Sequence, residues 1–209
     1  MPARFDRRRS TIVAFDAPTW EPPSAVVLDT NVVAEAFLTD EPEHLACDEL
    51  FRRLASHRTT VVFNRLLELE MWEVVFNQAL RNVPHRERRH RRFERESRRD
   101  AVTAMNRAER YWTELLGTLD WRCVEVEDVA DAVPDLMRNY GLQSYDAVHA
   151  ATLLASGVTD LVSRDAGFAV LLPEDAPSVS ASSCAPRSVL STPIAFDGRQ
   201  KASAAASTR

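Results

Sequence analysis

Short, wholly apolar runs alternate along this chain with longer stretches of helical spacing. Ala25-Val26-Val27-Leu28 is bounded by polar residues, the look of a strand buried on both faces. Thr59 to Phe63, Trp121 to Val126 and Thr159 to Ser163 read as further strands. A helix is expected from Val32 to Leu38. The next starts near Pro42, with Leu45, Leu50, Phe51 and Leu54 on one face. Asn64 is a suitable N-cap for a helix from Arg65 to Leu80. Within Pro84 to Leu116, the spacing of Ala101, Met105, Ala108, Trp112 and Leu115 gives one face of an amphipathic helix. Val129 to Tyr140 predicts a helix closed by Gly141. Ser144 is expected to cap a helix from Tyr145 to Ala155, closed by Gly157. A last helical turn starts at Ala166.

Strands alternating with helices predict a three-layer α/β/α fold with a central, mostly parallel sheet of four to five strands. Residues 1–24 read as an irregular lead-in ending in Glu21-Pro22-Pro23-Ser24. Residues 25–172 read as one domain, with an Arg-rich helical extension at 81–116. Residues 173–209, rich in Ser, Ala and Pro, read as a flexible tail.

Composition narrows the class. The 209 residues are 45% hydrophobic and 27% charged, ordinary for a globular domain. The net charge of −5 excludes a uniformly basic protein that coats nucleic acid. Cys47, Cys123 and Cys184 are odd in number and far apart, which disfavours zinc or a disulfide framework and predicts a reducing, cytoplasmic setting. Thr11 to Phe15 is too short for a signal-peptide core, and no apolar run approaches the roughly 20 residues of a membrane span.

In parallel sheets, ligands bind beyond the carboxyl ends of the strands. Asp29-Thr30-Asn31 follows the first strand, and the helix after the second carries Glu68, Glu70 and Glu73. Asp146 lies in the first turn of the helix after Ser144, and Ser163-Arg164-Asp165 follows the last strand. Each acid alone has a structural explanation: a cap, a helix-dipole partner or a solvated face. Jointly they gather at one end of one sheet. Two carboxylates about 4 Å apart repel by roughly 4 kcal/mol at an effective dielectric of about 20. Protons or a divalent cation must relieve that repulsion, and an oxygen-rich set suits Mg²⁺ or Mn²⁺. These residues therefore point to a metal-dependent phosphodiesterase or phosphatase.

Three stretches resemble the PIN domain family: Val26-Val27-Leu28-Asp29-Thr30-Asn31-Val32, the helix around Ser144-Tyr145-Asp146-Ala147-Val148-His149, and Leu161-Val162-Ser163-Arg164-Asp165-Ala166-Gly167-Phe168. Their order and the gap of 19 between Asp146 and Asp165 match the family pattern. Within it, the chain most resembles the VapC-like toxins of bacterial toxin–antitoxin pairs. The resemblance implies a Mg²⁺-dependent endoribonuclease (Mn²⁺ serving as an alternative) in which Asp29, Asp146 and Asp165 bind the metal with a helix glutamate. Glu70 matches that glutamate best, with Glu68 and Glu73 left open. Asn31 and Ser163 would support the site by hydrogen bonds. The implied partners are an RNA substrate, a cognate antitoxin and a second copy in a homodimer. A PIN-like nuclease of RNA processing or structured DNA, and a silent RNA- or partner-binding module, are the alternatives. A phosphatase of the Asp-x-Asp kind is disfavoured, because Asn31 stands where its second acid would be. His149, one turn from Asp146, reads as a packing or supporting residue. Trp72, Tyr111 and Trp112 read as core.

The chain is longer than compact PIN domains, and its basic residues concentrate in one element. Residues 81–100 hold nine arginines and four acids, a formal +5. Residues 1–10 carry +3, which leaves −13 on the remainder. The mild net charge is thus a cancellation. The arginine segment reads as a solvated helix laced with i,i+4 pairs, as an RNA-backbone clamp through Arg88, Arg89, Arg91 and Arg92, or as a dock for an acidic antitoxin segment. Replacing those four arginines by Gln should flatten the salt dependence of RNA binding. A binding assay across salt concentrations with an unchanged slope would rule the clamp out.

Overall fold

The computed structural model describes residues 4–5, 11–17, 19–38, 44–80, 95–171, 188–191 and 194–195. The strands are β1 (Arg4–Phe5), β2 (Thr11–Ala14), β3 (Ala25–Leu28), β4 (Thr60–Asn64), β5 (Asp120–Val124), β6 (Asp160–Ser163), β7 (Ser188–Ser191) and β8 (Ile194–Ala195). The helices are α1 (Thr30–Phe37), α2 (His44–Ser56), α3 (Arg65–Ala79), α4 (Arg95–Leu116), α5 (Val126–Ala130), α6 (Val133–Tyr140) and α7 (Ser144–Ser156). A 3₁₀ turn spans Ala166–Leu171.

The main sheet runs β2-β7-β6-β3-β4-β5. Its four strands β6, β3, β4 and β5 are parallel, with Val27 opposite both Val62 of β4 and Leu161 of β6. Alternation along these strands divides the core in two. Val26, Leu28, Val61 and Phe63 pack with residues of α1, α2, α3 and α4, whereas Val27, Val62 and Leu161 pack with residues of α5, α6 and α7. The result is the three-layer α/β/α architecture with a mostly parallel sheet.

Local chemistry sets the element ends that matter. The Asn64 side chain accepts from Leu66 N–H at 3.0 Å and so starts α3 directly at the end of β4. Gly141 and Gly157 end α6 and α7 in the left-handed region, φ 69° and 72°. The face of α4 is as the spacing predicts: Ala101, Ala108 and Trp112 are buried.

Five expectations need correction. The lead-in is not irregular throughout: Thr11–Ala14 pairs antiparallel with β7. Phe15 and Trp20 are core residues, and Arg53 of α2 donates to the carbonyls of Phe15, Ala17 and Trp20. Within the tail, β7 pairs antiparallel with β6 and covers an edge that a four-stranded sheet would leave open. Val129 to Tyr140 is two helices, because Pro134 lacks an N–H and sits in the first turn of a new helix. Gln143, not Ser144, occupies the N-cap position of α7. Leu45 is exposed, since the buried stripe of α2 is Cys47, Leu50, Phe51 and Leu54. Among the described residues, no helix is long and apolar enough to cross a membrane.

Phe15→Ala should cost about 3–5 kcal/mol in denaturant unfolding, the usual loss for a buried aromatic. A loss below about 1 kcal/mol would show that the lead-in is not part of the core.

Candidate active site

Four elements deliver acids to the carboxyl end of the parallel strands. Asp29 directly follows β3, and its backbone N–H donates to Val162 of β6 at 3.0 Å, which sets the two strand ends side by side. Asp29 holds the N-cap position of α1, yet its side chain makes no cap bond. Its buried carboxylate turns to the site: Oδ2 accepts from the Ser163 hydroxyl at 2.5 Å, and Oδ1 lies 3.5 Å from His149 Nε2. Glu70 of α3 reaches the same place, its Oε2 accepting from Thr30 Oγ1 at 2.5 Å and standing 3.2 Å from His149 Nε2.

Asp146 and His149, one turn apart, project from α7. Asp165 follows β6 by two residues. Its backbone N–H donates to Ser163 Oγ at 2.8 Å, and its Oδ1 accepts from Gly167 N–H at 2.6 Å. Gly167 has no side chain for a reason of space. A Cβ there would lie 3.1 Å from Asp165 Oδ1 and 3.7 Å from Asp146 Oδ2, filling the gap between the two carboxylates. Asn31 ties α1 to the same turn, its Oδ1 accepting from Arg164 N–H at 3.1 Å and its Nδ2 standing 3.5 Å from Ser163 Oγ.

Titration behaviour reports the crowding. Burial pushes the Asp146 carboxyl up, the charges of Asp29 and Asp165 push it further, and it reaches about 6. Burial likewise raises Asp29, against the pull of His149 and the Ser163 hydrogen bond. For His149, burial lowers the imidazole, but the Glu70 hydrogen bond and the Asp29 charge outweigh it and the net direction is up. His149 Nδ1 is buried and makes no hydrogen bond, so contacts at Nε2 alone orient the ring. Facing two carboxylates, Nε2 carries the proton and donates it.

The family model for the PIN domain matches residues 26–171. The chain belongs to the PIN domain family. PIN domains are in general nucleases, hydrolases of phosphodiester bonds. One solved structure similar to this chain is VapC20 of Mycobacterium tuberculosis, described as a Sarcin-Ricin loop cleaving toxin. It is 18% identical, the match covers 69% of this chain and 92% of that one, and the TM-score is 0.45. Among curated proteins, none matches the chain.

Within this PIN domain, Asp29, Glu70, Asp146, Asp165, Asn31 and Ser163 all meet at the ends of β3 and β6 or on the helix faces beside them. Glu68 points elsewhere, to Arg65 and to Trp112 Nε1 at 3.1 Å, and Glu73 is exposed. Arg88, Arg89, Arg91 and Arg92 lie outside the described residues. Trp72, Tyr111 and Trp112 pack on the core. One participant was not singled out in the sequence: Thr30 carried no signal beyond standing beside Asp29. His149, which the sequence reads as a packing or supporting residue, faces two carboxylates through Nε2. The carboxylates fit a divalent cation: an oxygen of Asp29 and one of Glu70 lie within 4.8 Å of each other and of a His149 ring nitrogen, and the Asp146 and Asp165 carboxylates flank the open gap at Gly167.

With the protein held in EDTA, thermal stability should fall as pH rises from about 4 to about 6. In that window Asp146 keeps its proton in the native state, up to about 6, while the unfolded carboxyl, at about 3.9, has lost it. His149, also raised, extends the decline above its ordinary value. Asp29→Asn removes a buried charge and should raise the metal-free melting temperature at pH 7. Melting temperatures that climb across this window would show that the carboxylates do not repel.

Proposed function

We propose that this PIN domain is a Mg²⁺- or Mn²⁺-dependent endoribonuclease, acting as the toxin of a toxin–antitoxin pair. The observation that carries the nuclease chemistry is the convergence of Asp29, Glu70, Asp146 and Asp165 with raised carboxyl values at Asp29 and Asp146. The toxin role rests on the three stretches that resemble VapC-like toxins. A cognate antitoxin is then the expected partner, and a homodimer the expected assembly.

Asp29, Asp146 and Asp165 would hold the cation, with Glu70 beside them. When bound, the cation polarises water and offsets the charge that develops on the scissile phosphate. The chain's own residues prepare that arrangement. Ser163 donates to Asp29 and accepts from the Asp165 backbone, which fixes two acids from one hydroxyl. His149 donates to Glu70 and faces Asp29, which keeps two mutually repelling carboxylates together. Thr30 orients the Glu70 carboxylate. Stiff placement of this kind is what orientation and electrostatic catalysis require.

The purified protein should cleave labelled RNA with Mg²⁺ or Mn²⁺, not in EDTA, and should leave DNA and a phosphomonoester intact. Asp29→Asn and Asp146→Asn should each lose more than the roughly 10–100-fold that an outer-sphere change costs. RNA cleavage absent with metal, or surviving both substitutions, refutes the nuclease. Preferential cleavage of DNA would move the chain to the structured-DNA class.

A further inference from the structure

Arg164 lies between Ser163 and Asp165, and helix α1 holds it twice. Its backbone N–H donates to Asn31 Oδ1 at 3.1 Å. Its guanidinium pairs with the Glu35 carboxylate. Asn31 and Glu35 are four residues apart, so one face of α1 grips both the backbone and the side chain of residue 164. The pair is largely withdrawn from water, with side-chain exposures of 11% for Arg164 and 20% for Glu35. The other Glu35 oxygen accepts from the Cys47 thiol of α2 at 3.7 Å, so the carboxylate is held from behind as well.

This matters because the tie through the Ser163 hydroxyl is shared with the acidic pocket. Ser163 Oγ has one proton, which it donates to Asp29 Oδ2, while it accepts from Asp165 N–H. Asp29 is itself a proposed cation ligand, so a cation and the turn draw on the same carboxylate. An anchor outside the acidic pocket is needed to keep the turn in place as the charge in the pocket changes. Glu35 and Arg164 are that anchor: a largely buried, charge-assisted pair between α1 and the turn after β6.

We propose that Glu35 is a positioning residue. Acting through Arg164, it sets where Ser163 and Asp165 stand in the acidic pocket. This deepens the metal-nuclease reading and rests on that reading only for its effect on metal binding. Partners of this outer kind typically change metal affinity by about 10–100-fold.

The test uses the full chain carrying Glu35→Gln, Arg164→Gln, both together, or Arg164→Lys. Amide hydrogen exchange is followed in EDTA by NMR. Mn²⁺ affinity is measured without RNA by electron paramagnetic resonance, and melting temperature serves as the control. Each Gln variant should speed exchange at the Arg164, Asp165 and Gly167 amides while exchange elsewhere in β6 and α7 stays as it was. Each should weaken Mn²⁺ binding about tenfold. The double variant should be no worse than the worse single one, as expected for two halves of one pair. Arg164→Lys keeps a cation opposite Glu35 and should lose less than Arg164→Gln, which keeps the test open if Glu35→Gln does not fold. Unchanged exchange at those three amides overturns the proposal. So do effects that add in the double variant, or a rise in exchange spread across the domain. Wild-type protein that binds no Mn²⁺ but shows the local exchange effect would support Glu35 as positioning and sink the metal site instead.

Discussion

Carboxylates repel, and this fold holds them together. Two such charges about 4 Å apart cost roughly 4 kcal/mol at an effective dielectric of about 20. Asp29 is also buried, which adds a desolvation penalty. Everything near the site answers that constraint. The parallel sheet brings the ends of β3 and β6 together, and the Asn64 cap starts α3 where Glu70 can reach them. Ser163, Thr30 and His149 supply hydrogens to the acids, and Gly167 leaves the gap between two of them open.

Local stability is given up for this arrangement. Asp29 occupies a cap position without capping, so α1 begins without the side-chain bond that an aspartate there normally provides. His149 leaves a buried ring nitrogen without a partner. Both lie within the cluster that the four acids share. The surrounding layers compensate. Core residues pack on both faces of the sheet, and α1 is fastened to the turn after β6 through Asn31 and Glu35.

The terminal segments change how the sheet ends. A purely parallel set of four strands would leave the edge of β6 open beside the site. Instead β7 pairs with it antiparallel, and β2 pairs with β7. Arg53 pins the chain after β2 through three backbone carbonyls, and its guanidinium lies 4.9 Å from the Trp20 ring centre. Residues 11–14 and 188–191 thus belong to the sheet that carries the acids.

Much was legible in the sequence because it is local or periodic. Apolar runs marked the buried strands, since a strand covered on both faces cannot alternate. Spacing marked the buried face of α4, and glycines marked helix ends that need a left-handed residue. The strand-end rule then pointed to Asp29, Asp146 and Asp165. What stayed hidden depends on contacts between distant segments. Residues 188–191 are a strand because they pair with β6, and residues 11–14 because they pair with 188–191, pairings no local pattern records. Glu70 differs from Glu68 and Glu73 only in the direction it faces. On α3, Glu68 turns to Trp112 of α4 and Glu70 turns to Thr30 and His149, so packing rather than residue type separates them. The sequence by itself determined which acids were available and at which end of the sheet they would lie. Only the tertiary structure decided which of them meet, because a side chain's partners are set by how the helices pack, and that depends on the whole core.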